Sequence, residues 1–121
     1  MLGRLLTLAL SATLLLIPGA ASAHTEIVGS QPSDGQMLRN PPDKVVLTFA
    51  EAPLTTGLAV VATGPAGRQP LDASVRGTEV IAPWPTELSG GDFRVAYRVV
   101  ADDGHPVEGS ITFSIAQPRT S

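Results

Sequence analysis

The chain has two histidines, His24 and His105, and neither stands where a core histidine is expected. His24 directly follows Ala21-Ser22-Ala23, a small-x-small site of the kind at which a leader is cut. Cleavage there makes His24 the N-terminal residue. The α-amine and the imidazole Nδ1 of an N-terminal histidine can close a chelate ring on one ion, so a single residue supplies two nitrogen ligands. The ordinary pKa of such an amine, about 7.7 to 8.0, lets a metal displace its proton near neutral pH. His105 sits in the run Ala101-Asp102-Asp103-Gly104-His105-Pro106. Its imidazole and the Asp103 carboxylate bring the total to three nitrogens and one oxygen. Copper(II) prefers such a tetragonal set and also leads the divalent affinity order. The expectation is one copper(II) per chain.

The spacing of Asp103 and His105 fits this chemistry. If residues 99–105 continue as a strand, positions i and i+2 point to the same face and the two side chains converge. Gly104 lets the backbone bend between them, and Pro106 stiffens the backbone just after the histidine. Taken alone, an Asp-Gly-His-Pro run also suits a plain turn, and a histidine at a cleavage point can be accidental. Together the two features use every histidine in the chain.

Positioning these residues begins with export. Arg4 is a short positive n-region, residues 5–17 are almost continuously apolar, and Pro18-Gly19 breaks any helix. With the small-residue site after it, this order describes a secretory signal peptide over residues 1–23, cut between Ala23 and His24. The apolar run is short of the roughly 20 residues a membrane span needs; a retained N-terminal anchor is the alternative. No later stretch is apolar enough to span. The expectation is therefore one domain over residues 24–121, periplasmic or secreted, and not itself membrane-spanning after cleavage.

Composition narrows the partners. The formal net charge of the 121-residue chain is −3, and removing Arg4 makes it one unit more negative. A mildly acidic protein lacks the basic clusters that neutralise phosphates, which argues against nucleic acid. There are no cysteines, so disulfides, thiol nucleophiles, iron–sulfur clusters and Cys-type zinc sites are excluded. Only Met37 survives processing, which leaves little for a soft cation to bind.

The elements that must hold the site read as strands. Val45, Leu47 and Phe49 share one face of residues 44–49. Residues 58–62 form another apolar run, and residues 79–82 a short one. Phe93, Val95, Tyr97 and Val99 alternate with Arg94, Ala96, Arg98 and Val100. Ile111, Phe113 and Ile115 share a face of residues 110–115, and residues 26–31 form a first strand. Dense turn signals separate them, and no helical stripe of useful length appears after the leader. The expected fold is all-β: an immunoglobulin-like, two-sheet Greek-key β-sandwich of about seven strands, with a small closed barrel as the alternative. Tyr97 belongs with the core-facing residues. Arg94 and Arg98 fall on a solvated face. Trp84, between two prolines, either caps one end of the sandwich or lies near the metal.

Several stretches resemble the CopC family of exported copper-binding proteins. His24-Thr25-Glu26-Ile27-Val28, with Gln31-Pro32-Ser33-Asp34-Gly35 after it, is similar to the family's opening strand and turn. PDKVVLTFAEAP over residues 42–53 resembles its second strand, with a Phe-x-Glu pattern at Phe49 and Glu51. FRVAYRVVADDGHPVEGSITF over residues 93–113 resembles its strand ending in Asp-x-His-Pro. The resemblance implies a cupredoxin-like sandwich that binds copper in the periplasm, with a role in copper resistance or supply, often beside a membrane transporter of the CopD type. It maps the copper(II) ligands onto His24, Asp103 and His105. Glu51 matches an acidic position near the copper in some members; ordinary solvation at a strand end is its other reading. Some members carry a methionine-rich loop for copper(I), but residues 60–70 contain no methionine here, so no copper(I) site is expected.

The leading expectation is a monomeric copper(II) carrier or buffer without catalysis, because four protein donors fill a square-planar site. One competing class is an immunoglobulin-like adhesion or assembly module that binds no metal. Another is a copper-dependent oxidative enzyme built on an N-terminal histidine.

Overall fold

Alternation of apolar and polar residues decides which side of each strand is buried. In β3 (Lys44–Phe49), Val45, Leu47 and Phe49 are buried while Lys44, Val46 and Thr48 face outward. In β8 (Gly91–Val100), Phe93, Val95, Tyr97 and Val99 turn inward. The computed structural model describes residues 25–117; the leader over residues 1–23 and His24 lie outside the described residues. The other strands are β1 (Ile27–Gln31), β2 (Gln36–Leu38), β4 (Ala59–Gly64), β5 (Gly67–Pro70), β6 (Ser74–Arg76), β7 (Glu79–Pro83) and β9 (Pro106–Ile115).

These nine strands, with no helix among the described residues, form two sheets of order β1-β3-β7-β6 and β2-β9-β8-β4-β5. The chain crosses between sheets after β1, β2, β3, β5 and β7, as a Greek-key sandwich requires. All pairings are antiparallel except β2 with β9. The inward faces meet in one cluster that includes Val45, Leu47, Phe49, Val80, Val95, Val99 and Phe113. Burying a large apolar side chain stabilises by about 1.5–3 kcal/mol, so this layer holds a chain that has no disulfides.

Two aromatic groups mark the two ends of the core. At one end, Trp84 packs edge-on to Phe93 at 5.1 Å between ring centroids and against Phe113 at 5.2 Å. Its indole N–H donates to the Leu88 carbonyl at 2.8 Å, so the ring is buried with its polar atom satisfied. At the other end, Phe49 and Tyr97 meet edge-to-face at 5.4 Å and join the two sheets. Tyr97 lies directly across from Gly109 on β9. A Cβ at Gly109 would collide with the Tyr97 ring and hydroxyl, so only glycine leaves room for the ring.

The three strands beyond the expected set are short and lie at sheet edges. β2 is three residues long with Met37 exposed. It is fixed by β9: the Gly35 N–H donates to the Thr112 carbonyl at 2.7 Å, and the Thr112 N–H donates to Asp34 Oδ1 at 2.8 Å. β5 and β6 are the antiparallel edge partners of β4 and β7.

The close approach of Tyr97 to Gly109 makes that contact testable. Gly109→Ala overpacks the interior and is expected to lower unfolding free energy by about 1–3 kcal/mol in urea titration. Burial also raises the pKa of the Tyr97 hydroxyl above its ordinary value of 10.0. As the pH rises through that value, the unfolded chain releases this proton first and so binds fewer protons than the folded chain. The contribution is intact below pH 10.0 and is lost as the pH climbs through the higher folded-state pKa. Alkaline unfolding of Tyr97→Phe is expected to lack that part of the pH dependence.

Candidate metal centre

β8 ends at Val100, which pairs with Pro106 at the start of β9. Asp103 and His105 therefore lie in the hairpin loop, not on a continuing strand, and the alternation expected for residues 99–105 does not hold. Two backbone bonds close the loop. Ala101 N–H donates to the His105 carbonyl at 2.9 Å, and Gly104 N–H donates to the Ala101 carbonyl at 2.8 Å. The turn needs Gly104 at a φ of 91°, in the left-handed region that glycine enters at little cost.

The two side chains meet nonetheless, by a different device. The His105 backbone N–H donates to Asp103 Oδ1 at 3.0 Å, while Asp103 Oδ2 stands 3.1 Å from His105 Nδ1. Aspartate commonly serves its own loop backbone two residues on, and here the same carboxylate also holds the ring. A proton on Nδ1 would be donated to Asp103, which fixes the tautomer and leaves Nε2 with its lone pair available for an ion. The His105 side chain is 80% exposed and that of Asp103 42%, so an ion has open access.

Three segments gather at this end of the sandwich. Ile27 at the start of β1 pairs with Phe49 at the end of β3. The next residue, Ala50, donates its N–H to the Glu26 carbonyl at 2.8 Å, and Leu54 donates to the Val100 carbonyl at 2.8 Å. The stretch that contains Glu51 thus runs from the first strand to the base of the Asp103–His105 loop. Gly57 sits against Val100, where a Cβ would approach Cγ2 to 2.7 Å. Pro53 is buried and Glu51 is exposed.

Of the four expected ligands, Asp103 and His105 are brought into contact. Glu51 lies two residues beyond β3 at the same end. Among the described residues no group of three or more His, Cys, Asp or Glu side chains sits together. His24 lies outside the described residues; Thr25, the first described residue, precedes Glu26, whose carbonyl is bonded at this end. Trp84 is at the far end: Phe93, under its ring, and Val100 are about 23 Å apart along β8 at about 3.3 Å per residue. It therefore caps the end of the sandwich away from the Asp103–His105 loop.

One residue escaped the sequence reading. Thr25 is only 3% exposed, and its Oγ1 is the one buried side-chain oxygen or nitrogen among the described residues with no hydrogen-bond partner. A buried hydroxyl left unserved costs about 1–3 kcal/mol. Nothing in the sequence signals this, because a threonine shortly before a strand is ordinary.

Comparison with known proteins agrees with this architecture. A model of the CopC domain matches residues 27–116. Copper resistance protein C of Pseudomonas syringae pv. tomato is 33% identical over 112 residues, covering 84% of this chain and 87% of that protein. Among solved structures, PcoC, a methionine-rich copper resistance protein from Escherichia coli, is 27% identical, with a TM-score of 0.59 over 77% of this chain and 99% of its own. CopC from Methylosinus trichosporium OB3b superposes with a TM-score of 0.70 over 81% of this chain and 99% of its own. At 24% identity it speaks for the fold.

The loop should be separable from the core in its energetics. Exposed ion pairs contribute about 0–1 kcal/mol. Asp103→Ala is expected to change unfolding free energy by less than about 1 kcal/mol while the His105 amide hydrogen exchanges faster. A loss of several kcal/mol would mean that the carboxylate supports the fold itself.

Proposed function

Because the chain belongs to the CopC family, we propose that it is an exported copper(II)-binding protein that carries or buffers copper in copper resistance and homeostasis. The observation that supports this reading most directly is the Asp103–His105 pair, held by one carboxylate at an exposed loop. The first described residues, through Glu26 and Ile27, lie at the same end of the sandwich. Removal of residues 1–23 in the periplasm or on secretion frees the His24 amine. One copper(II) is then bound by that amine, the His24 imidazole, Asp103 and the His105 imidazole. Glu51 adds negative charge at that end and is a secondary candidate.

This donor set describes a binding protein and not an enzyme. Four protein ligands occupy the square plane that copper(II) prefers, so substrate has no vacant equatorial position. Exchange with a partner then becomes the functional event, and a membrane copper transporter of the CopD type is the proposed recipient or source. The protein acts as a monomer. Residues 60–70 form β4, its turn and β5 and hold no methionine, so a methionine-rich copper(I) site has no donors in that stretch.

The test is copper(II) titration of the chain beginning at His24, followed by electron paramagnetic resonance. One equivalent is expected to bind tightly with a tetragonal, nitrogen-rich spectrum. His24→Ala and His105→Ala should each weaken binding by more than the roughly 10–100-fold typical of an outer-shell loss. One residue added before His24 should weaken it as sharply, since both imidazoles remain but the chelating amine is displaced. Acid should weaken binding too, as protons compete for the same lone pairs. Weak, multiple binding that ignores these changes would leave a sandwich without this site.

A further inference from the structure

The outer edge of β9 is covered along only part of its length. β2 pairs with it at Phe113, Ser114 and Ile115. Just before β2, the Gly35 N–H donates to the Thr112 carbonyl and the Thr112 N–H donates to Asp34 Oδ1. Both backbone groups of Thr112 therefore point away from β8. In an antiparallel ladder this direction alternates from residue to residue. Ser110 and Glu108 turn their N–H and C=O groups to the same outer side, as Pro106 does its carbonyl. The pair of Pro106 with Val100 has the matching phase: the Val100 carbonyl is free to accept from Leu54, and proline has no N–H to leave unserved. Among the described residues no strand lies beyond this stretch. From Pro106 to Ser110 it spans about 13 Å, at about 3.3 Å per residue.

Two features set this edge apart. Pro106 follows His105 directly, so a strand laid along the edge would end at the Asp103–His105 loop. A groove of about 410 Å³ also runs beside it, between β9 and the first residues of β1, lined by Ile27, Val28, Asp34, Ser110 and Ile111. Val28 is 63% exposed there. The edges at β5 and β6 are blunted instead: β5 ends on Pro70, and β6 is three residues long.

Charge selects the occupant. The Glu108 side chain is 70% exposed, Asp34 lines the groove, and Asp102 and Asp103 stand exposed just past its end. A second copy of this chain fits poorly, because two such edges paired antiparallel about Glu108 would set it opposite its own charge. The whole chain also carries a formal net charge of −3. An extended segment with basic and apolar side chains at alternate positions fits both faces of the edge. Its basic side chains lie on the side of Glu108, and its apolar ones turn into the groove toward Ile27 and Ile111.

We propose that the open half of β9 is the docking edge for the protein that exchanges copper with this one, which adds such a segment as a further strand. The proposal rests on the copper-carrier reading above. Main-chain bonds give an added strand its affinity, and its alternate side chains give selectivity. The end of the docked segment lies beside His105, where the ion changes hands.

Docking is measured on the ion-free chain beginning at His24, with a capped eight-residue peptide of alternating lysine and valine as the probe and amide hydrogen exchange as the readout. The Glu108 and Ser110 amides are expected to exchange fast in the free chain and to slow saturably as the peptide is added. The same peptide with its backbone nitrogens methylated is expected to have no effect. Glu108→Lys should weaken the peptide about five-fold or more and leave copper(II) affinity within a few-fold of the parent's. Ser110→Pro removes one outward N–H at an edge position that tolerates proline, and should weaken the peptide too. Absence of protection, or protection at β1, β5 or β6 in place of Glu108 and Ser110, would overturn the docking edge and leave the copper site standing. Protection that grows with the concentration of the chain alone would overturn the choice of occupant in favour of a second copy. A copper(II) titration that His105→Ala leaves unchanged would overturn the copper reading and the exchange role with it, whatever the peptide does.

Discussion

The pairing of β8 with β9 runs unbroken from Gly91 opposite Ile115 to Val100 opposite Pro106, and its inward face packs against β3 and β7 of the other sheet. Almost everything else depends on this ribbon. Its length sets how far the Asp103–His105 loop projects. Its register puts Tyr97 opposite Gly109 and so lets the ring reach Phe49. The Val100 carbonyl at its end anchors Leu54, which fixes the stretch that contains Glu51. A slip of one residue would reverse the two faces and expose Phe93, Val95, Tyr97 and Val99. That cost far exceeds the fraction of a kcal/mol available from surface pairs such as Arg98 with Glu108 at 3.4 Å.

The strands legible in the sequence are those that carry their own instructions. β3 and β8 alternate cleanly, so their buried faces follow from their side chains. β9 is legible only in its second half, because Val107, Glu108 and Gly109 do not declare a face. β2, β5 and β6 were not legible for a different reason. Each is a short edge strand whose conformation comes from a neighbour. Gln36-Met37-Leu38 has no periodicity, and its pairing with β9 is imposed by the Asp34 and Gly35 bonds to Thr112. Strand number was therefore underestimated while the sandwich itself was not.

The convergence of Asp103 and His105 was legible in the sequence and misread in its mechanics. Asp103 and His105 do converge, but not because a strand places i and i+2 on one face. The chain turns there, and the aspartate carboxylate bonds to both the backbone and the ring two residues on. Residue spacing cannot tell these routes apart, since each brings the same two side chains together. Thr25 was invisible for the opposite reason. Its identity is commonplace, and only its burial without a partner makes it unusual. The ambiguity over Trp84 resolved through contacts with Phe93 and Phe113 that no local pattern encodes.

The division between core and loop bears on how a cargo ion can be handled. Small domains that fold around a structural metal couple the two, so removing the ion unfolds the chain. Here the apolar layer is closed by side chains from both sheets, and the Asp103–His105 pair lies outside it on an exposed loop. Binding free energy at the loop is then not consumed in forming the fold, and release need not unfold it. Such a scaffold can present a prearranged pair of donors, accept an ion from solvent and give it up to a stronger site with little rearrangement of the core. The first described residues reach the same end and are tied to β3 through Glu26 and Ala50, so in the proposed role an N-terminal ligand would be delivered by packing that does not involve the ion. Keeping the ion's contribution out of the folding equilibrium in this way is what the proposed carrier role would require.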